Sequence, residues 1–509
     1  MTPEPKPAHY TPASLEAFRG NPLIEALPDF LWVRPADIFH RLEVQPGTIA
    51  SQASRRQRAQ WLLNAAFHCF IPGMRHMKLY DVIDLMIRQG YMHRAPKIGS
   101  AYYLEAQERL QKDRNDLEQR TSAYHEPLTT SVIGCSGIGK SCGVLRVLSL
   151  YDQVIDHAPP FVPEPLRQVV YMKVEAPGTI KALCASIITE LGRLVGIAYG
   201  EQYVKPRATL ESLQQRVVYL MSLHRVGILV IDEMQNLVSR HKNRDEIFNF
   251  IVYLSNSLDV PILFIGTPRL MRVMGQNLRT ARRFGSFGIA NWERYERNTT
   301  EWQGFIRQLW KFQVLKNESP EISANIEDAF YSCSQGITDI LVKLFVLSQM
   351  QAILNCSIGL IDSEKLTPDL IEDVFRSQLS NVSPIVEALR KADYRAIERY
   401  EDIAVPLEKY KEATGELFGK IVDATANMAE ERQAKDAVQE LDRRYAELRD
   451  SVAPGVRKAI AELMRAGQTP EKILGALANE KAEEGAADEA CGEHKVLDEG
   501  FDPPRAEIK

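Results

Sequence analysis

Gly134-Cys135-Ser136-Gly137-Ile138-Gly139-Lys140-Ser141 follows directly on the run Thr130-Ser131-Val132-Ile133 and leads into a helical stretch. The spacing is G-x-x-x-x-G-K-S, the pattern of a phosphate-binding loop set between a strand and a helix. Glycines let the main chain wrap round phosphate oxygens without Cβ clashes. Successive N–H groups and the positive end of the next helix favour anions. The whole stretch from Gly134 to Cys142 is therefore expected to hold nucleotide phosphates. Lys140 would reach the β- and γ-phosphates, and Ser141 would ligate magnesium, so ATP and Mg²⁺ are the expected cofactors.

Working downstream, Gly227-Ile228-Leu229-Val230-Ile231-Asp232-Glu233 is an apolar strand that delivers two carboxylates to its C-terminal end. Asp232 is expected to share the magnesium shell with Ser141. Glu233 is expected to orient or deprotonate the attacking water. Ile262-Leu263-Phe264-Ile265-Gly266-Thr267-Pro268 is a further core strand with a polar tip. Thr267 is the candidate contact to the γ-phosphate or the lytic water; an ordinary strand-ending turn, which glycine and proline also favour, is the competing reading.

The flanking pattern supplies an architecture. Residues 130–133, 169–174, 227–231 and 262–265 are short, continuous apolar runs. Residues 180–194, 210–222 and 245–258 between them carry helix-period apolar positions. This alternation predicts an α/β fold with a parallel sheet covered on both faces. Its expected limits are 121–298. Before it, residues 1–28 read as a flexible arm and 29–120 as a helical accessory domain. After it come a helical lid (299–405), a charged helical extension (406–478) and an acidic disordered tail (479–509). Thr367-Pro368 should open a lid helix, with Asp369 in its first turn. Trp302 and Trp310 are expected in the lid core, and His224 at a helix end.

Composition narrows the function classes. The chain has 509 residues, a net charge of −5 and 45% hydrophobic content, which suits a globular protein of several folded units. Seven dispersed cysteines follow no zinc or disulfide spacing, as expected in a reducing compartment. The proline-rich start, MTPEPKPAHYTP, does not read as a signal peptide, and no uninterrupted apolar run reaches the ~18 residues of a membrane span. A cytoplasmic protein without a membrane partner is expected. Locally, Arg55, Arg56, Arg58, Arg75, Lys78, Arg88, Arg94 and Lys97 outnumber nearby acids. They form a candidate phosphate-binding patch or a solvated face.

Taken together, SVIGCSGIGKS (131–141), GILVIDEMQNL (227–237), PILFIGTPRL (261–270) and SQGITDILVKLFVLSQ (334–349) resemble TnsC, the AAA+ regulator ATPase of Tn-seven class bacterial transposons, related to the TniB, MuB and IstB groups. Residues 80–94 and 384–403 are similar as well, so the resemblance covers about 30–405. It implies an AAA+ P-loop core that hydrolyses ATP, and an oligomer, ring or helical filament, assembled on double-stranded DNA. It also implies that such an assembly links a TnsD/TniQ-like target-selection protein, at the N-terminal domain, to TnsA/TnsB-like transposase subunits, at the C-terminal region. ATP hydrolysis would drive disassembly, and the cell would be bacterial.

By the same resemblance, the arginines of Arg279-Thr280-Ala281-Arg282-Arg283 face a neighbouring subunit's nucleotide, Arg283 first and Arg282 second. Lys343 is the cation nearest the usual position of a lid sensor. Thr179 and Lys181, with Arg240, Lys242 and Arg244, are candidate contacts to DNA phosphates, which carry no sequence code. A helicase-loader or replication-initiator AAA+ ATPase would have a nearly identical core, and a signalling ATPase that does not touch DNA remains the other alternative.

Overall fold

The computed structural model describes residues 4–29, 34–50, 52–92, 94–96, 128–162, 164–240, 246–247, 249–251, 253–254, 260–270, 288–393, 395–397 and 407–451. The expected arginine positions Arg282 and Arg283, with Arg279, lie outside these residues, as do Lys242, Arg244, Lys97 and the acidic tail. Arg240 ends a described helix, but its side chain is not described.

The chain order begins with strand β1 (Lys6–Pro7) and helices α1 (Pro22–Glu25), α2 (Pro35–Leu42), α3 (Arg55–His68) and α4 (Met74–Met92). Then come β2 (Thr129–Ile133), α5 (Lys140–Leu148), β3 (Val154–His157), β4 (Leu166–Val169), β5 (Tyr171–Glu175), α6 (Ile180–Val195), α7 (Tyr199–Tyr203), α8 (Leu210–Leu223), β6 (Ile228–Asp232), α9 (Met234–Arg240), β7 (Ile262–Gly266) and β8 (Ile289–Asn291). The helices α10 (Thr300–Trp310), α11 (Ala324–Ser334), α12 (Thr338–Ser357), α13 (Pro368–Gln378), α14 (Ser383–Arg390) and α15 (Leu407–Ser451) complete the described chain.

Among the described residues, five strands form one sheet in the order β5-β6-β7-β2-β8, and every pairing in it is parallel. Period-two alternation divides the strand residues between two faces. Leu229, Ile231, Ile262 and Phe264 join α6 and α8 in one core. Ile228, Val230, Leu263 and Ile265 join α4 and α5 in another. The expected α/β class with a doubly covered parallel sheet is what the chain adopts.

The N-terminal region departs from expectation. The stretch expected to be a flexible arm, 1–28, is held along residues 4–28. Lys6 and Pro7 pair in parallel with Ile155 and Asp156, extending a second sheet β1-β3-β4. Phe18, Leu23, Ile24 and Leu27 are buried, and the Asn21 amide donates to Tyr91 O at 2.9 Å. Nor do α3 and α4 form a separate accessory body. Helix α4 supplies the second cover of the main sheet, whereas Ala59 and Leu62 of α3 enter the core of the C-terminal helices.

That helical core gathers α3, α10–α14 and the first turns of α15 through Ala413, Leu417 and Ile421. Trp302 and Trp310 are buried in it, as expected. Thr367 caps α13 by accepting from Leu370 N–H at 3.2 Å, with Pro368 in the first turn. Among the described residues, α12 is the one helix long and apolar enough to cross a membrane; most of it is buried within this core. The chain divides into two compact units, 1–425 and 426–509, and the second is described only over 426–451, as helix.

Much of the candidate basic patch is internal bracing. Arg58, Arg88 and Arg94 are each 3% exposed or less. Arg88 grips Asp84 at 2.9 Å, Arg94 donates to Val226 O at 2.7 Å, and Arg58 meets Glu364. Only Arg56 and Lys78 of the described set are exposed. A guanidinium so placed satisfies internal acceptors and offers nothing to an external phosphate.

Candidate functional site

Strand register brings the separated motifs to one sheet edge. Ile133 is level with Gly266, and Phe264 is level with Ile231. The residues that follow Ile133, Ile231 and Gly266 therefore emerge side by side: Gly134, Asp232-Glu233 and Thr267. The Gly134 N–H donates to Gly266 O at 3.2 Å, locking the loop's entry to the tip of β7. A Cβ at Gly134 would lie 2.2 Å from Trp292 O, so only glycine allows β8 to approach from the other side.

The loop has the backbone its sequence demands. Gly137 and Gly139 sit at φ +77° and +89°, and Gly139 is the left-handed residue preceding α5. The Lys140 ammonium lies over the loop, donating to Gly134 O and Cys135 O, each at 2.8 Å. Ser141 follows in the first turn of α5. The Cys142 thiol is pushed above its ordinary value by burial first, then by the Asp339 and Asp232 carboxylates, against the pull of Lys173. That helix turn, the Asp232 strand tip and the start of α12 therefore share one electrostatic neighbourhood.

Asp232 is 3% exposed and carries two partners: Lys173 Nζ at 2.8 Å and the Glu233 N–H at 2.9 Å. Glu233 is left-handed at φ +54°, a costly conformation for a side-chain-bearing residue and one concentrated at functional positions. Its carboxylate accepts from the Gln235 amide. Thr267 is buried, its N–H donates to Gln235 Oε1 at 3.3 Å, and its hydroxyl has no hydrogen-bond partner among the described residues.

A cavity of about 350 Å³ opens above this edge. Loop residues 136–142 and Glu233 floor it, and Cys69, Phe70, Ile71 and His76, from the α3–α4 connection and the start of α4, wall it. Phe305 and Val342 close the other side. One end thus has backbone N–H groups and a lysine, the other an apolar and aromatic lining. His76 is held neutral: burial first, then Arg75, lowers its pKa to about 4, while the Gly73 N–H donates to its Nδ1 at 2.9 Å.

The lid helix meets the loop directly. The Asp339 N–H donates to Gly137 O at 2.8 Å, and Thr338 Oγ1 lies 3.5 Å from Ile138 O. Lys343 is bound to Asp339 at 2.7 Å, so its charge is balanced within its own helix. The DNA candidates divide. Thr179 caps α6 by accepting from Ala182 N–H at 3.2 Å, and Lys181 is exposed in the next turn. His224 caps the end of α8; its ring meets Tyr199 Oη at 2.9 Å, and burial holds its pKa at about 4.

Four site residues escape the motif reading: Lys173, Gln235, His76 and Phe70. Gln235 alone left a trace, lying two residues past Glu233; the others arrive through tertiary packing.

The residues fit a magnesium nucleotide. The left-handed glycines leave an anion cradle with a lysine over it, and the Asp232 carboxylate stands at the same edge. Among the described residues no cluster of His, Cys, Asp or Glu could hold a metal by itself. That suits a cation shared between one hydroxyl, one carboxylate and phosphate oxygens.

Comparison with known proteins agrees with the motif resemblance. Residues 100–294 match the family model described as bacterial TniB protein. No curated protein matches. Among solved structures, the chain is similar to the Aeropyrum pernix ORC1 protein in complex with DNA (13% identity, 63% of this chain, 82% of that one, TM-score 0.33). It is also similar to Cdc6p from Pyrobaculum aerophilum (12% identity, 66% and 89%, TM-score 0.32). The Thermotoga maritima RuvB Holliday junction branch migration motor is a third (16% identity, 62% and 80%, TM-score 0.29). The chain's own strand order is that of a parallel α/β sheet carrying a phosphate-binding loop, with the loop strand and the Asp232 strand flanking β7.

Proposed function

We propose that this chain is an ATP-dependent regulator of DNA transposition. It oligomerises on target DNA, connects a target-selection protein to a transposase, and disassembles on hydrolysis. The observation that carries the proposal is the convergence of the Lys140 loop, Asp232, Glu233 and Thr267 at one sheet edge, within the segment matching bacterial TniB protein.

In this reading the base and ribose lie toward Phe70, Ile71, Phe305 and Val342, and the phosphates toward the loop. Lys140 leaves the loop carbonyls to meet the β- and γ-phosphates. Ser141 and Asp232 hold the magnesium ion, which neutralises phosphate charge when bound. Glu233 orients the water, and Thr267 turns its buried hydroxyl toward that water or the γ-phosphate. Arg283 and Arg282 would complete a neighbour's site, so the γ-phosphate joins subunits and its loss separates them. Lys181 is the proposed DNA contact best supported by exposure. Phosphate contacts alone would suit an adaptor that acts at many sequences.

The test combines nucleotide binding with DNA retention. Lys140→Ala should lose nucleotide affinity by on the order of 10- to 100-fold, the equivalent of charge-assisted hydrogen bonds, and with it ATP-dependent retention on a duplex. Glu233→Gln should bind ATP normally, turn it over at least ~100-fold more slowly, and persist on DNA. Equal retention of wild type and both variants, with or without ATP, would refute the switch.

A further inference from the structure

Gln235 lies in the first turn of α9, between the tips of β6 and β7. It is 6% exposed, and both ends of its amide are used. Oε1 accepts from the Thr267 N–H at 3.3 Å, and Nε2 donates to Glu233 Oε2. This orientation is dictated by the partners. A backbone N–H can only donate, so the amide oxygen must face Thr267; the NH₂ then faces the carboxylate, which can only accept when ionised. Among uncharged side chains, few besides a primary amide can serve both at this distance.

The surroundings are shaped for the bridge. A Cβ at Gly266 would come 3.2 Å from Gln235 Oε1 and 2.7 Å from Leu270 Cδ2, so the residue before Thr267 leaves the amide its place. Glu233 hangs from a left-handed backbone, and its preceding carboxylate, Asp232, is separately held by Lys173. Gln235 is therefore the one described side chain that joins the Glu233 carboxylate to the strand end bearing the Thr267 hydroxyl.

We infer that Gln235 is a positioning residue: its amide fixes the Glu233 carboxylate relative to Thr267, so that the group acting on the water and the group sensing the γ-phosphate move as one. Gln235 acts through Glu233 and touches no reacting atom. The inference rests on the ATPase reading above.

The experiment is steady-state ATP turnover with fluorescent-nucleotide binding, on the full chain, for Gln235→Met, Gln235→Glu, Glu233→Ala and the Glu233→Ala/Gln235→Met double variant. Gln235→Met removes both hydrogen bonds. Gln235→Glu keeps an acceptor for Thr267 and replaces the donor to Glu233, so it serves if the first variant folds poorly. Both should lower kcat by on the order of 10- to 100-fold, the cost of displacing a catalytic group by about 1 Å, with nucleotide affinity within about 3-fold of wild type. The double variant should match Glu233→Ala within about 2-fold, because the amide then has nothing to position. Unchanged kcat in Gln235→Glu, or an undiminished further loss in the Glu233→Ala background, overturns the inference alone. A wild-type chain that binds no ATP overturns the ATPase reading, and this inference with it.

Discussion

Replacing Glu364 tests how the nucleotide cavity is held. Its carboxylate is 3% exposed and takes Arg58 in a fork, NH1 to Oε2 at 2.5 Å and NH2 to Oε1 at 2.8 Å. Arg55 adds a contact at 3.1 Å and the Lys316 N–H one at 3.4 Å. Arg58 stands on α3, and Glu364 lies between α12 and α13, so the pair fastens α3 to the lid. Immediately after α3 come Cys69, Phe70 and Ile71, which wall the cavity. In Glu364→Ala the Arg58 guanidinium stays buried and keeps its bond to Val314 O at 2.8 Å. A buried charge stripped of its partner costs about 3–5 kcal/mol. The retained carbonyl contact argues for the lower half of that range. At an m-value of about 3 kcal/mol/M, this lowers the urea midpoint by about 1 M or more.

Trp61, Trp302 and Trp310 all belong to or pack on this core, so tryptophan fluorescence follows its unfolding. The control is Arg58→Met/Glu364→Leu, which removes both charges and should fall within about 1 kcal/mol of wild type, since apolar replacement of a buried pair is often neutral. A Glu364→Ala midpoint within 0.2 M of wild type (roughly 0.6 kcal/mol at that m-value) would refute the reasoning. So would a double variant as unstable as the single one, because the loss would then come from packing and not from an unpaired charge.

Three further outcomes follow from the same geometry. Burial raises the Glu364 pKa, but Arg58, Arg55 and the Lys316 N–H outweigh it, so the folded value lies below the ordinary 4.5; the stability it contributes is full above that pH and is lost as pH falls through the folded value, and Glu364→Gln should flatten this limb of the stability–pH curve. Gly336→Ala should detach the start of α12 from the loop, because Gly336 sits at φ +74° and a Cβ there would lie 2.0 Å from Tyr295 O; about 1–2 kcal/mol comes from the backbone alone, and faster limited proteolysis of the lid checks it. Lys173→Met frees the Asp232 carboxylate from an ammonium at 2.8 Å, so half-saturation of nucleotide binding should need less Mg²⁺, by titration with a fluorescent nucleotide; an unchanged requirement would show that the pair does not compete with the metal.

The phosphate loop and the β6 tip were legible because their chemistry is local. Glycine spacing and an apolar strand declare themselves within eight residues, and the parallel order of β6, β7 and β2 then brings Asp232 to the same sheet edge as Gly134, with the β7 tip between them. The arginines of α3, and Arg94 just past α4, were misleading for the opposite reason. Arg58 finds its partner 306 residues away and Arg94 one 132 residues away, so nothing in the neighbouring sequence distinguishes a buried brace from a surface patch. The start of the chain fails similarly: Pro and Lys in 4–7 look unstructured, but β3 offers an open edge and Leu23 and Ile24 a burial site. Lys343 illustrates a helical pairing that spacing could have revealed, since Asp339 lies one turn before it. Gln235 required the structure, because its role depends on Thr267 approaching from another strand.

Under the proposed function, the site at the edge of the sheet uses the γ-phosphate to assemble the chain on DNA. Sedimentation velocity of the full chain with a DNA duplex, in a slowly hydrolysed ATP analogue and in ADP, tests it most directly. Large protein–DNA assemblies are expected with the analogue, and slow-sedimenting protein separate from the duplex with ADP or with Lys140→Ala. Identical boundaries in both nucleotides would contradict it.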